Sequence, residues 1–533
     1  MYKRTVSLFL TLCLLFTFIA YRIISLNYSD YSLAGNNQST KTLSVGKSRG
    51  TIYDINFQKL VNEKVKKIAV AVPSANAVNK VGEIALEDQV KSIEENLSCG
   101  FPCMFEAVKD SDCEDIKVFE VPVRYSSDQI ASNIIGYLDG EGNGALGIEK
   151  AYNELLSESN GEISVTMSVD AKGRMLNGIS MTVNDSMTSS NQGVVLTIDK
   201  EIQKIATSAM NKIESGACVV LDCSDGSISA LVSTPAIDPN DMNETMKKEN
   251  SPFVNKALTA YSVGSVFKPI LTAYALENHI ETEEFNCQGK IDVNGTVYGC
   301  INRNPHGEIS LAESLQVSCN TFYINLTENI EAEKLYSFCS NFYFGTGTTL
   351  AEGLYSADGY LPDSEELENR GNKANFSFGQ GKLMATPLQM ASAYLALVNG
   401  GVYKYPYLVA GTIDADGVFT KCSNKPDSKI LKESTSKKMR EILESVVTDG
   451  NAYYGEAKTC TTGGKTGTAQ SGSYNEDGEE ILRTWFVGFF PANEPLYVVA
   501  VLNENGISGG KDCGPVFSEI ADGVTNLLIE RAN

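Results

Sequence analysis

Residues 265–278 read Ser-Val-Phe-Lys-Pro-Ile-Leu-Thr-Ala-Tyr-Ala-Leu-Glu-Asn. Ser265 and Lys268 stand three positions apart, and on a helix that spacing puts them on one face with Cβ atoms about 5–6 Å apart. From Pro269 onward the composition is that of a buried helix. Proline is tolerated in its first turn, where the missing N–H would have no intrahelical partner. A lysine in so apolar a setting loses part of its preference for the charged form. It can then take the serine proton and activate the hydroxyl without a histidine. That matters because the chain has only two histidines, His279 and His306. The same spacing recurs in Ser434-Thr435-Ser436-Lys437, which reads as a solvated helix face. A single S-x-x-K therefore carries little by itself.

Two further elements lie downstream. Ser318-Cys319-Asn320 offers a hydroxyl and a carboxamide two residues apart, able to face one cleft, relay a proton and hold a substrate backbone. Ser25-Leu26-Asn27 has the same pattern at the edge of an apolar run. Lys465-Thr466-Gly467-Thr468 falls on an expected strand and occurs once. Its glycine lets a peptide approach closely, its backbone can take that peptide as an added strand, and Lys465 with the threonine hydroxyls suits a carboxylate.

The surroundings supply the architecture. Ala217–Asp222 and Ser227–Ser233 are apolar runs joined by Cys223-Ser224-Asp225-Gly226, a hairpin signal. Gly463–Gln470, Leu482–Phe490 and Leu496–Asn503 read as three more strands, with helices and loops between Ala257 and Leu443. Two strands early and three late predict one five-stranded antiparallel sheet beside a helical lobe, an α+β fold. Val194–Ile198 reads as a strand and Asp199 as the cap of a helix starting near Glu201. The glycines at 140, 142, 144 and 147 form no phosphate-binding pattern and read as a loop.

The chain has 533 residues and a formal net charge of -22. That length suggests about two to four domains, and the charge argues against nucleic acid as a partner. Lys3 and Arg4 precede an apolar run from Val6 to Leu26, long enough at about 1.5 Å per residue to span a hydrocarbon core. It reads as an uncleaved anchor with its basic flank inside the cell and everything beyond it outside. The alternative is a signal peptide cleaved near Ser32 and Ala34. A polar stalk is expected from Asn27 to about Ser48. Of 13 cysteines, Cys13 lies in the apolar run. An external location permits disulfides, and Cys287 with Cys300, flanking a hairpin with an Asn294-Gly295 turn, is the best local pair. Cys99 and Cys103 lack the further ligands a zinc site needs.

S-x-x-K, S-x-N and K-T-G in this order resemble the motifs of penicillin-binding proteins and class A β-lactamases. The chain as a whole resembles a class B penicillin-binding protein, a monofunctional peptidoglycan D,D-transpeptidase. Arg49-Gly50-Thr51-Ile52-Tyr53-Asp54 resembles the R-G-x-I-x-D box of that family's external pedestal domain. Gly147-Ile148-Glu149-Lys150-Ala151-Tyr152 resembles its G-x-E-x-x-Y segment. Thr197-Ile198-Asp199 with Gln203, Gly379-Gln380-Gly381 with Thr386-Pro387-Leu388-Gln389, and Trp485-Phe486-Val487-Gly488 resemble its catalytic-domain signatures. Departures are Ile55 and Phe57, where the box commonly continues with Arg and Gly, and Val263, where a proline often precedes Gly264.

The resemblance implies a cytoplasmic tail over 1–4, an anchor over 5–26, an external mixed α/β pedestal over 27–190 and a transpeptidase domain over 191–533. It implies catalytic roles for Ser265, Lys268, Ser318 and Asn320, and substrate binding by Lys465, Thr466, Gly467 and Thr468. It implies stem peptides ending in D-Ala-D-Ala as substrate, β-lactams as acylating inhibitors, a membrane glycosyltransferase as partner, and no metal or organic cofactor. Two alternatives stay open: a D,D-carboxypeptidase or β-lactamase with water as acceptor, and a non-catalytic β-lactam sensor or scaffold.

Overall fold

The computed structural model describes residues 2–27, 40–158, 161–176, 181–187, 192–280, 285–474 and 478–533. The helix Tyr2–Asn27 contains one apolar stretch, Arg4–Ser25, long enough to cross a membrane. The candidate cleavage site at Ser32 and Ala34 and the first part of the expected stalk lie outside the described residues. The end of that stalk differs from expectation. Thr40–Lys47 is a strand, paired antiparallel with Glu162–Ser168. Leu43 and Val45 alternate with polar neighbours, and Val45 packs into an apolar cluster with Val165 and Met167, so the period-2 pattern outweighs the polar composition.

The chain forms two compact units. The first comprises Met1–Arg49, Asn62–Arg124 and Ser159–Ser189. Its centre is the strand Lys64–Ala71, flanked antiparallel by Cys103–Ala107 and Ile116–Val123. The helices Ala75–Ile84 and Val90–Ser98 bury Ala77, Val81, Ile93 and Leu97 against that sheet. This unit is mixed α/β, but it is built from three chain segments and not from the continuous 27–190 expected of the pedestal, since Gly50–Val61 and Tyr125–Glu158 belong to the second unit.

The second unit comprises Gly50–Val61, Tyr125–Glu158 and Ser190–Asn533. Its elements used below are α1 (Lys200–Met210), β1 (Gly216–Asp222), β2 (Ile228–Thr234), α2 (Lys268–Glu277), α3 (Asn320–Glu328), α4 (Pro387–Val398), α5 (Glu433–Thr448), β3 (Gly463–Tyr474), β4 (Glu480–Phe490), β5 (Tyr497–Gly506) and α6 (Gly509–Ala532). The five strands make one antiparallel sheet in the order β2-β1-β5-β4-β3. Nearly every residue of β1, β2 and the first half of β5 is buried, the pattern of a sheet covered on both faces. Helices α4 and α6 both pack on it. All twelve residues of α4 are buried, as expected of a helix apolar all round.

The family-like signatures turn out to be joints of this framework. Asp199 caps α1 by accepting hydrogen bonds from the N–H of Glu201 (3.0 Å) and Ile202 (3.2 Å). Gln203 reads the β2 backbone in both directions at Leu231, donating at 3.1 Å and accepting at 2.9 Å. Thr386 and Gln389 form a reciprocal capping box at the start of α4. Asp54, fully buried, accepts the N–H of Asn56 and Gln58. Phe57 keeps a left-handed φ of +59° where the family box commonly has glycine, and its ring packs edge-on against Phe419 at 5.5 Å.

Candidate active site

Ser265 lies in a 3-10 turn, Gly264–Phe267, which runs directly into α2. The turn is held from several sides through its backbone. Gly264 N–H donates to Gly379 O (2.8 Å), Tyr394 Oη donates to Val266 O (2.8 Å) and Trp485 Nε1 donates to Ser262 O (3.0 Å). Gly264 has φ +61°, and a Cβ on Gly379 would lie 2.0 Å from Gly264 O. Both positions therefore require glycine, the first for its dihedral and the second for the contact.

Lys268, the first residue of α2, is fully buried. Its Nζ donates to Ser318 O (2.8 Å), Ser318 Oγ (3.1 Å) and Asn320 Oδ1 (2.7 Å). It also lies 5.6 Å from the centre of the Tyr323 ring. Burial pulls the Lys268 pKa down to about 7, against the opposing pull of Cys319 and Cys300. Ser318 is almost buried and holds φ +55°, a conformation that costs a non-glycine residue energy and that persists where neighbours over-determine it. Asn320 opens α3 and anchors its own amide by donating from Nδ2 to Gly299 O at 3.0 Å. The S-x-x-K and S-x-N elements thus meet at one buried ammonium.

The third element lies against the same turn. A Cβ on Gly467 would stand 2.9 Å from Val266 Cγ1, 3.0 Å from Val263 O and 3.2 Å from Val266 N. The backbone of β3 therefore touches the turn that carries Ser265, and β3 is an edge strand of the sheet. Lys465 is fully buried, and its Nζ donates to Thr466 O (3.1 Å), Thr466 Oγ1 (3.4 Å) and Asn451 Oδ1 (3.5 Å). Burial, and then the charge of Lys268, hold its pKa well below that of an ordinary lysine. Thr468 is exposed, and its Oγ1 accepts the N–H of Gly509 at 3.4 Å.

Sequence reasoning missed Asn451, which follows α5 and bonds both Lys465 and Thr466. No local pattern marks it. The competing Ser434–Lys437 match lies on α5 with Ser434 and Lys437 both exposed, the solvated face expected. Cys287 and Cys300, the best local candidates for a disulfide, are not bonded: their Sγ atoms lie 3.8 Å apart, too far for the ~2.0 Å of an S–S bond. The hairpin between them does form, Lys290–Val293 with Thr296–Gly299, turning at Asn294 and Gly295 with positive φ at both.

The family described as the penicillin binding protein transpeptidase domain matches residues 216–522. Among curated proteins, the chain is 30% identical to stage V sporulation protein D of Bacillus subtilis, over 97% of this chain and 85% of that protein. It is 27% identical to peptidoglycan D,D-transpeptidase FtsI of Escherichia coli K12, over 93% of this chain and 86% of that one. A solved structure described as "Structural coordination of polymerization and crosslinking by a peptidoglycan synthase complex" superposes with a TM-score of 0.66 at 21% identity, covering 97% of both chains. With the match spanning the sheet, α2 to α5 and all three site elements, this chain belongs to the penicillin-binding protein transpeptidase family.

Proposed function

We propose that this protein is a membrane-anchored peptidoglycan D,D-transpeptidase that cross-links stem peptides through an acyl-enzyme on Ser265. The observation that carries the reading is the buried Lys268 Nζ, which joins the Ser265 turn to Ser318 and Asn320. Neutral Lys268 accepts the Ser265 proton as Oγ attacks the carbonyl of the D-Ala–D-Ala amide. A lysine whose pKa is drawn down to about 7 is suited to this, since a base works best with a pKa near the working pH. The backbone N–H groups of Ser265 and Thr468 take the developing oxyanion. Ser318, within reach of Lys268 Nζ at 3.1 Å, passes a proton to the departing D-Ala, and the C–N bond breaks to leave an ester on Ser265. Asn320 orients Lys268 and the substrate amide. An amine from a second stem peptide then attacks the ester, forms the new amide and returns the proton to Ser265.

Lys465, Thr466 and Thr468 receive the terminal carboxylate, while Gly467 lets the peptide lie close along β3. Among the described residues the partners of buried Lys465 are neutral oxygens, and an arriving carboxylate supplies the opposite charge that burial denies it. β-Lactams acylate Ser265 by the same attack, and no metal takes part in the steps. The Arg4–Ser25 helix serves as a single-pass anchor with Arg4 on the cytoplasmic side and the rest outside. The likeness to a chain from a peptidoglycan synthase complex supports a membrane glycosyltransferase as partner. Mass spectrometry of the full-length protein after benzylpenicillin treatment tests the reading. One adduct is expected, on the peptide that contains Ser265. Labelling elsewhere, or none on folded protein, overturns it.

A further inference from the structure

Four side chains outside the catalytic assignments converge beside it. Cys287 ends the strand Phe285–Cys287, Cys300 follows the hairpin, His306 precedes the strand Gly307–Ile309, and Cys319 stands between Ser318 and Asn320. Their ligand atoms all lie within 4.8 Å of one another. All three cysteines are buried and His306 is half-buried. Cys287 Sγ lies 3.8 Å from Cys300 Sγ and 3.3 Å from His306 Nδ1, and Cys300 Sγ lies 3.7 Å from Cys319 Sγ.

We propose that Cys287, Cys300, His306 and Cys319 bind one zinc ion in a closed tetrahedral Cys3His centre that fixes the turn carrying Ser318 and Asn320. The distances carry the argument. Zinc bonds of about 2.3 Å to sulfur and about 2.0–2.1 Å to nitrogen, set at the tetrahedral angle, separate two sulfurs by about 3.8 Å and a sulfur from a nitrogen by about 3.5 Å. The edges of 3.8 and 3.7 Å between sulfurs and 3.3 Å between sulfur and nitrogen fall on or near these values. A disulfide explains them poorly: it would require one pair to close to about 2.0 Å and would leave the third thiol and the imidazole facing a buried spot without a purpose. Three sulfurs with one nitrogen favour zinc over magnesium or calcium, which take oxygen ligands. Four protein ligands leave no open position, so the centre is structural and takes no substrate.

The surroundings also suit thiolates. Thr321 Oγ1 reaches all three sulfurs, at 3.2 Å (Cys287), 3.6 Å (Cys300) and 3.3 Å (Cys319), and Gly289 N–H donates to Cys287 Sγ at 3.3 Å. Such donors around the ligand atoms orient them and tune the metal. Binding releases three thiol protons to solvent, and three thiolates, a neutral imidazole and one divalent cation leave a single net negative charge. The spacing, C-x12-C-x5-H-x12-C, contains no short C-x2–4-C pair, which is why no metal was expected from the sequence.

The functional consequence runs through Cys319. Held by the metal, it fixes its two neighbours, and those neighbours position the Lys268 amine. The test uses full-length protein in detergent, purified with a non-chelating phosphine reductant in zinc-supplemented medium, and does not depend on the catalytic reading. Elemental analysis should find about one zinc per chain. Cobalt(II) exchanged into the same protein should give the intense ligand-field bands of a tetrahedral thiolate site. Cys300→Ser and His306→Gln should each lower the bound zinc and change or abolish the cobalt spectrum, whereas Cys99→Ser, at an exposed thiol, should alter neither. Zinc well below one equivalent in the supplemented wild-type protein, a cobalt spectrum without thiolate character, or a disulfide between any two of the three cysteines in a parallel preparation isolated without reductant overturns the proposal. The wild-type measurements decide the matter even if a variant fails to fold.

Discussion

Lys268 Nζ lies 2.7 Å from Asn320 Oδ1, so the first residue of α2 and the first residue of α3 share one hydrogen bond in the interior. The partners of that amine all accept: Ser318 O, Ser318 Oγ and Asn320 Oδ1. They hold the nitrogen in place, while burial supplies the pull toward neutrality.

Replacing the two buried lysines should separate their roles. Arginine keeps the charge but cannot be deprotonated in a protein. Lys268→Arg should therefore slow penicillin acylation by the ~10²–10⁴-fold ascribed to general acid–base catalysis. Lys465→Arg keeps what a carboxylate needs and should lose less. Stopped-flow or gel-based acylation rates measure both. Near-normal acylation by Lys268→Arg would refute the lysine-base assignment.

Acylation should depend on pH with a definite sign. In the proposed mechanism the reactive form of Lys268 is neutral, and burial draws its pKa down to about 7. The neutral fraction grows as pH rises through that value and falls roughly tenfold for each pH unit below it. Acylation should thus be slower at pH 6 than at pH 8. A rate that is flat across that interval, with the protein folded throughout, contradicts the assignment.

Gly467→Ala should impair chemistry more than folding. The new Cβ would stand 3.2 Å from Val266 N and 3.0 Å from Val263 O, so β3 must move away from the Ser265 turn. Overpacking of this kind costs about 1–3 kcal/mol, while a displacement near 1 Å at a reacting centre costs on the order of 10²-fold in rate. Thermal unfolding and acylation rates on the same preparation would compare the two effects. Unchanged acylation would show that the strand does not bear on the nucleophile.

A stability prediction concerns the far end of the chain. Arg531 makes two hydrogen bonds to the Asp199 carboxylate, at 2.7 and 3.0 Å. Burial raises the Asp199 pKa, but the bonds from Arg531 and from the α1 backbone outweigh it and leave the net shift downward. The resulting stability is present above the ordinary carboxylate range and is lost as pH falls through the folded-state value. Arg531 is 37% exposed, so its share is discounted for solvent screening to about 1 kcal/mol. Arg531→Ala should lower the melting temperature near neutral pH and have less effect in acid. An equal loss at both extremes would point to packing rather than charge.

Much of this was legible in the sequence because the signals were local. The hairpin Gly216–Thr234 turns at Cys223–Gly226 as read, and the three late strands begin and end within a few residues of expectation. Most of them are short, continuous apolar runs, and the turn chemistry lies in the same stretch. What escaped was set by tertiary contact. Asn451 becomes a neighbour of Lys465 only because α5 ends there. The strand Thr40–Lys47 is polar on its outer face and becomes recognisable only when paired with Glu162–Ser168. Ser265, expected to open the helix, falls on a tighter 3-10 turn, packed so closely on β3 that a Cβ on Gly264 would stand 2.8 Å from Thr468 O. The four Cys and His ligand atoms are gathered from Cys287 to Cys319, beyond the reach of any short spacing rule.

The edge position of β3 carries a liability as well as a use. A strand edge open to the proposed stem peptide is equally open to a second copy of itself, the usual route to self-association between sheets. The strand answers this in its outer half: its register slips between Gln470 and Tyr474, and Gln470, Gly472, Ser473 and Tyr474 there are exposed and carry no long aliphatic face. Irregularity of this kind bends an edge and ends regular pairing. The adhesive length is thereby confined to the stretch around Lys465–Thr468, long enough for a short peptide terminus and too short to template a second sheet.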